Sequence, residues 1–244
     1  ERHMFKFFDK NNRTLALRNE MTTSIARLVS SRMKNEDLPL KLSYICKVYR
    51  YEQAQTGRQC EFYQAGVELM GNDEPSGDAE IVALAIESML KAGLGKFQVC
   101  MGQVDFINGI MQQWDLPEDE QRDIRTALEK HDLVRLGEIA DESSLSQTIK
   151  NTLMELPMLH GGEEVLDKAA SMADNERSRM AIDNLKTVYK LLKNYGADEY
   201  IAFDLGVIRD FNYYTGMVFE IYAPGLGSPL CGGGRYDNLL SNFG

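Results

Sequence analysis

The chain has 244 residues, 43% hydrophobic and 26% charged, a globular composition long enough for one large domain or a core with an inserted segment. Its formal net charge of −10 has the wrong sign for a general nucleic-acid surface, which rests on clustered Lys and Arg. No stretch nears the roughly 18 consecutive apolar residues of a spanning helix, so no membrane span is expected.

Met4 to Asp9 alternates and meets Asn11-Asn12, which predicts a strand and a turn, and Leu15-Ala16-Leu17 continues as a second short strand. Met21, Ile25, Leu28 and Val29 then share one face of a helix. Leu42 to Glu52 alternates again, with Leu42, Tyr44, Cys46, Val48, Arg50 and Glu52 on one side. A polar loop leads to a partner strand, Glu61 to Gly71. On it Phe62, Gln64, Gly66 and Glu68 share one face, and Tyr63, Ala65, Val67 and Leu69 the other.

Pro75 and Gly77 break the chain before a helix over 78–92, whose apolar set includes Ile81, Leu84, Ala85 and Leu90. Phe97 to Met101 predicts one more strand. From about Val104 to Tyr195 the signals are helical: Ile107/Ile110/Met111, Ile124/Leu128, Leu133/Leu136/Ile139 and Ile182/Leu185/Val188/Leu192. Gly196 is placed to end the last helix. Strands resume over 200–207 and 213–222, and Gly232-Gly233-Gly234-Arg235 leads into Leu239-Leu240.

The four cysteines, Cys46, Cys60, Cys100 and Cys231, form no C-x-x-C pair, so neither a zinc site nor a disulfide framework is suggested and a reducing, cytoplasmic setting fits. His3, His131 and His160 are isolated, so no metal site is expected. The chain opens on Glu1-Arg2-His3, as a fragment would, and a missing signal peptide proves little.

Gly66 between Gln64 and Glu68 would leave space above the sheet for a ligand; the bland reading is a solvated strand face with Gly66 as a bulge. Arg50, Glu52 and Arg58 surround the hairpin loop. Arginine suits bidentate contact with phosphate or carboxylate, but exposed ion pairs are the commoner explanation. Arg209 with Tyr213-Tyr214 would bind a carboxylate and a ring, and alternation allows at most one of the tyrosines on the Glu68 side. The glycine run is neither a Walker A loop nor G-x-G-x-x-G, and is often just a tight turn.

In this order the signals resemble the class II histidyl-tRNA synthetase core. Leu17-Arg18-Asn19-Glu20-Met21-Thr22 is similar to that family's L-R-P-E-x-T segment. Arg50-Tyr51-Glu52, Gly57-Arg58 and Glu61-Phe62-Tyr63-Gln64 resemble its motif 2. Arg209-Asp210-Phe211-Asn212-Tyr213-Tyr214 resembles R-G-L-D-Y-Y, and Gly233-Gly234-Arg235-Tyr236-Asp237 resembles G-G-R-Y-D. The departures are Asn19 for proline, Met21 for glycine, Cys60 for a further arginine, and Asp210, Phe211 and Asn212 for G-L-D. Those at Cys60 and Asn212 remove charges that would serve ATP handling or site organisation. The runs L-R-x-[DE]-M-T, E-F-x-Q-A-G-V-E-L and R-D-F-x-Y-Y-T-G-M-x-F-E look instead like the regulatory subunits of ATP phosphoribosyltransferase, a non-synthetase branch of the same family.

That resemblance implies an α+β fold: a class II synthetase-like antiparallel sheet flanked by helices, formed by residues 1–95 and 196–244, with a mostly helical insertion over 96–195. It implies a histidine site with Glu20 and Thr22 on the α-amino group, Gln64 assisting, Arg209 on the carboxylate, and Glu68, Tyr214 and Tyr236 at the imidazole. Arg50, Glu52 and Arg58 would be a vestigial ATP or anion site. It further implies no catalysis and no cofactor in this chain, a homodimer, and a partner in the short-form catalytic subunit, with histidine as feedback effector in histidine biosynthesis and no tRNA. The alternatives are the catalytic core of a histidyl-tRNA synthetase and a free-standing histidine sensor.

Overall fold

The computed structural model describes residues 4–51, 59–114, 116–143, 145–206 and 214–243. They form two compact units, one of residues Glu1–Asp73 with Asn238–Gly244, the other of Glu74–Asp237.

In the first unit, the short strands β1 (Lys6–Phe8) and β2 (Thr14–Ala16) make a hairpin closed by Asp9, which accepts backbone bonds from Asn11 and Arg13. Helix α1 (Thr22–Arg32) packs Ile25 and Val29 against Met70, Leu40, Leu42 and Tyr44. Leu28, expected on that face, is 41% exposed: α1 turns Ala26 and Ser30 inward instead. Strands β3 (Leu40–Tyr49) and β4 (Glu61–Met70) pair antiparallel over ten residues each with no bulge, from Leu40↔Met70 to Tyr49↔Glu61. This register puts Leu42, Tyr44, Cys46 and Val48 beside Glu68, Gly66, Gln64 and Phe62 on one face. The opposite face carries Ile45 and Tyr63, which are 79% and 70% exposed.

In the second unit, five strands run in the order β6-β7-β5-β8-β9: β5 (Gln98–Gln103), β6 (His160–Gly161), β7 (Ile201–Asp204), β8 (Met217–Tyr222) and β9 (Cys231–Gly234). All neighbours are antiparallel except β5 and β7. A parallel pair needs a long crossover, and six helices supply it: α3 (Val104–Gln112), α4 (Glu118–Glu129), α5 (Leu133–Glu142), α6 (Gln147–Glu155), α7 (Glu164–Met172) and α8 (Glu176–Asn194). The sheet's central strand, β5, therefore lies inside the 96–195 span assigned to a helical insertion, because the crossover starts only after Gln103. Val99, Met101, Phe203, Phe219 and Ile221 form a core with α3, α8 and α2 (Pro75–Lys91). The glycine run is not a turn. It is strand β9, and side chains at Gly233 and Gly234 would meet the rings of Phe219 and Tyr214 at 2.9 Å.

Two details of α2 differ from expectation. Pro75 does not precede the helix; it starts it, since its missing N–H is one that a first turn leaves unpaired anyway. The buried face carries Ala79, Val82 and Ile86, whereas Leu84 and Leu90 are 43% and 39% exposed. In α5, Leu133 is likewise 40% exposed while Leu136 and Ile139 are buried. Gly196 follows α8 at φ +67°, the left-handed conformation that closes a helix. Among the described residues no helix is long and apolar enough to cross a membrane.

Candidate functional site

The segment before α1 lies along β3. Tyr49 N–H donates to Arg18 O at 2.8 Å, Arg18 Nε to Lys47 O at 2.8 Å, and Arg50 Nε to Asn19 O at 3.0 Å. These ties bring Glu20 and Thr22 to the face that carries Gln64 and Glu68. The Glu20 carboxylate accepts from Thr23 N–H at 3.0 Å, which satisfies one of the unpaired donors in the first turn of α1. Thr22 Oγ1 donates to Glu68 Oε1 at 2.7 Å.

Glu68 is only 5% exposed. Burial pushes its carboxyl up to about 7; the Thr22 hydroxyl opposes that and the Glu20 charge adds to it. Glu68 is thus poised to exist both as carboxyl and as carboxylate near neutral pH. Gln64 Oε1 is buried and has no hydrogen-bond partner among the described residues, so this face presents an acceptor that lacks a donor.

Gly66 has neither of the roles the sequence suggested. It is no bulge, and the space above it is filled: a side chain there would overlap the ring of Tyr44 from the paired strand. The glycine exists so that the tyrosine ring can lie on the sheet between Gln64 and Glu68. Tyr44 was missed because no motif contains it; the available signal was an aromatic residue opposite a glycine on one face of a hairpin. Gly66→Ala is expected to displace the ring and cost about 1–3 kcal/mol by overpacking. A urea midpoint equal to that of the unaltered protein would show that the ring is not seated there.

Arg50 is partly consumed by the chain itself. Besides its bond to Asn19, its guanidinium lies 5.2 Å from the centre of the Phe62 ring. Glu52, Arg58, Arg209 and Tyr213 lie outside the described residues. Tyr214 and Tyr236 belong to the second unit, both half-buried, Tyr214 against Gly234 and Tyr236 just past β9. Among the described residues no group of three His, Cys, Asp or Glu side chains would hold a metal, and the four cysteines are free thiols.

A long antiparallel hairpin bearing a buried acid, a helix-first segment strapped across it and a second sheet backed by helices define a class II synthetase-like core. The chain belongs to the histidyl-tRNA synthetase family, whose model matches residues 1–244.

Within that family, the ATP phosphoribosyltransferase regulatory subunit of Moorella thermoacetica is 46% identical over 241 residues, 99% of this chain and 62% of the relative. A crystal structure of an ATP phosphoribosyltransferase regulatory subunit/histidyl-tRNA synthetase from Bacillus halodurans C matches with a TM-score of 0.93 and 40% identity, covering 100% of this chain and 63% of that one. The histidine–tRNA ligase subunit of Alicyclobacillus acidocaldarius matches with a TM-score of 0.81 and 26% identity over 100% of this chain and 75% of that one. These relatives bear out the motif-level resemblance to the regulatory subunits and the α+β, class II synthetase-like fold. The chain spans only about three fifths of the length of the curated relatives it matches.

Proposed function

We propose that this chain is the core of a non-catalytic regulatory subunit of ATP phosphoribosyltransferase that binds free histidine. The match of this whole chain to about three fifths of relatives of that name supports the first part. The single observation that carries the second is the buried Glu68 carboxyl, bonded to Thr22, beside the unpartnered Gln64 oxygen. In this reading Glu20 and Thr22 take the α-amino group, assisted by Gln64, and Arg209 takes the α-carboxylate. Glu68, Tyr214 and Tyr236 take the imidazole. Each polar group of the ligand needs a partner once it leaves water. Arg50, Glu52 and Arg58 remain as an anion site, and no cofactor is required.

Catalysis resides in a short-form partner subunit that joins ATP to phosphoribosyl pyrophosphate, the first step of histidine biosynthesis. This chain forms a homodimer in the cytoplasm and takes no tRNA. Histidine inhibits because it binds one state of the assembly better than the other.

Calorimetric titration of the full-length protein with histidine tests the site. Glu68→Ala and Arg209→Ala are each expected to weaken binding by about 1–3 kcal/mol, the scale of a lost charged hydrogen-bond partner. Unchanged affinity in both variants would remove the assignment. The synthetase reading is favoured by one observation, the likeness to a histidine–tRNA ligase subunit. Histidine-dependent exchange between ATP and pyrophosphate would establish it.

A further inference from the structure

We propose that Thr215 and Asp237 are positioning residues: they clamp the segment before β8 to the segment after β9, and so hold Tyr214 and Tyr236 on one face as an aromatic wall for a ligand ring. This rests on the reading of the two tyrosines as part of a histidine site, and it adds what holds them there. Tyr214 immediately precedes Thr215, and Tyr236 immediately precedes Asp237. Thr215 Oγ1 donates to Asp237 Oδ2 at 2.8 Å, and Asp237 N–H donates back to Thr215 Oγ1 at 3.0 Å. The Thr215 N–H donates to Arg235 O at 2.8 Å.

The clamp stands where the sheet ends. Strands β8 and β9 pair in register from Ile221↔Cys231 to Val218↔Gly234. Arg235 N–H still donates to Met217 O at 2.8 Å. Continued two residues further, the same register brings Thr215 opposite Asp237. There the side chains take over from the backbone ladder. A hydroxyl is the group this place needs, because it donates and accepts at once. The Asp237 carboxylate only accepts and the Asp237 N–H only donates, and Thr215 Oγ1 serves both.

Alternation along β9 decides which way the tyrosines turn. A side chain at Gly233 would meet the ring of Phe219, which is in the core with α2, α3 and α8. Two residues on, Arg235 reaches Asp78 and Glu74 O at the start of α2. Gly233 and Arg235 therefore share the helix-backed face, and Gly234 and Tyr236 fall on the other. Tyr214 lies on that other face too, since a side chain at Gly234 would meet its Cδ1 at 2.9 Å. Gly234 thus seats the Tyr214 ring on the face to which Tyr236 belongs. Asp237 also accepts from Arg235 Nη1 at 3.4 Å, so the clamp is joined to the arginine that grips α2. Two phenol rings on one face offer a flat apolar surface with two hydroxyls, which fits a small heteroaromatic ring such as an imidazole.

The test is Thr215→Val, which keeps the shape of the side chain and removes both bonds of the hydroxyl, set against Thr215→Ser, which keeps them. Both are read on ligand-free full-length protein with isotope-labelled tyrosine rings. Thr215→Val is expected to move the NMR signals of Tyr214 and Tyr236, assigned through their phenylalanine variants, and Thr215→Ser to leave them in place. Asp237→Ala, which loses the carboxylate and keeps the backbone N–H, should move the same two signals by less. Histidine affinity, measured by calorimetry, is expected to fall about threefold or more in Thr215→Val and to return in Thr215→Ser. Unmoved tyrosine signals in Thr215→Val overturn the clamp, whatever ligand binds. Moved signals with unchanged histidine affinity overturn the positioning role, and so does an equal loss of affinity in Thr215→Ser. If the unaltered protein binds no histidine, the histidine reading falls, and the clamp stands or falls on the tyrosine signals alone.

Discussion

Replacing Asp78 by alanine is expected to lower stability by about 3–5 kcal/mol, the scale of breaking a buried ion pair from one side. Arg235 reaches the same carboxylate oxygen twice, from Nη2 at 2.9 Å and from Nε at 3.1 Å, with the two side chains only 15% and 7% exposed. Nη2 also donates to Glu74 O at 3.2 Å, so the arginine after β9 grips the N-terminus of α2 by side chain and backbone together. Asp78 stands in the first turn of α2, where the helix dipole favours a negative charge. Even so, burial outweighs the guanidinium and raises the Asp78 pKa above its ordinary value. The pair is costly to form and more costly to break, because alanine would remove the carboxylate that the guanidinium, 15% exposed, reaches twice, and leave it Asp237 at 3.4 Å. Urea denaturation measures the effect. The double variant Asp78→Leu, Arg235→Met should recover much of the loss, since apolar replacement of both partners is often neutral. A loss below about 1 kcal/mol in Asp78→Ala would show that the pair does not hold α2 to β9.

The second large effect is a dependence of stability on pH. The Glu68 carboxyl has an ordinary value of 4.5 and is raised to about 7 in the fold. Between those values the folded protein keeps a proton that the unfolded chain has released. Stability is therefore highest below about 4.5, falls as pH rises through 7, and levels off above. The gap corresponds to roughly 3 kcal/mol. Glu68→Gln removes the ionisation while keeping an acceptor for Thr22. It is expected to match the unaltered protein near pH 4.5 and to exceed it by about 2–3 kcal/mol at pH 8. A difference that is the same at both pH values would contradict the burial of this acid. Such a gain in stability from removing a buried ionisable group is what a ligand-binding acid predicts, because the fold bears a cost that only the ligand offsets.

The β3–β4 hairpin was readable because a period of two fixes both faces at once, and the α8 stripe of Ile182, Leu185, Val188 and Leu192 because four apolar residues at helical spacing define one arc. Helix α2 was harder. Ile81, Val82, Leu84, Ala85, Ile86 and Leu90 surround most of its circumference, so the sequence does not say which arc meets the sheet; packing chose Ala79, Val82 and Ile86. The Asp78–Arg235 pair joins residues 157 apart, and no local pattern signals it. Tyr44 lay between the two: the alternation put it on the Glu68 side, but its seat on Gly66 required the register as well. The role of β5 was misplaced for a similar reason. A short strand followed by six helices looks like the start of an insertion, yet the helices are the crossover that lets β7 run parallel beside it.

The most direct test of the regulatory reading is reconstitution of the full-length protein with a short-form ATP phosphoribosyltransferase catalytic subunit, following phosphoribosyl-ATP formation with and without histidine. This protein is expected to raise the rate and histidine to lower it again, with the histidine effect lost in Glu68→Ala. No rate enhancement and no histidine sensitivity, from a catalytic subunit shown to be intact, would contradict it.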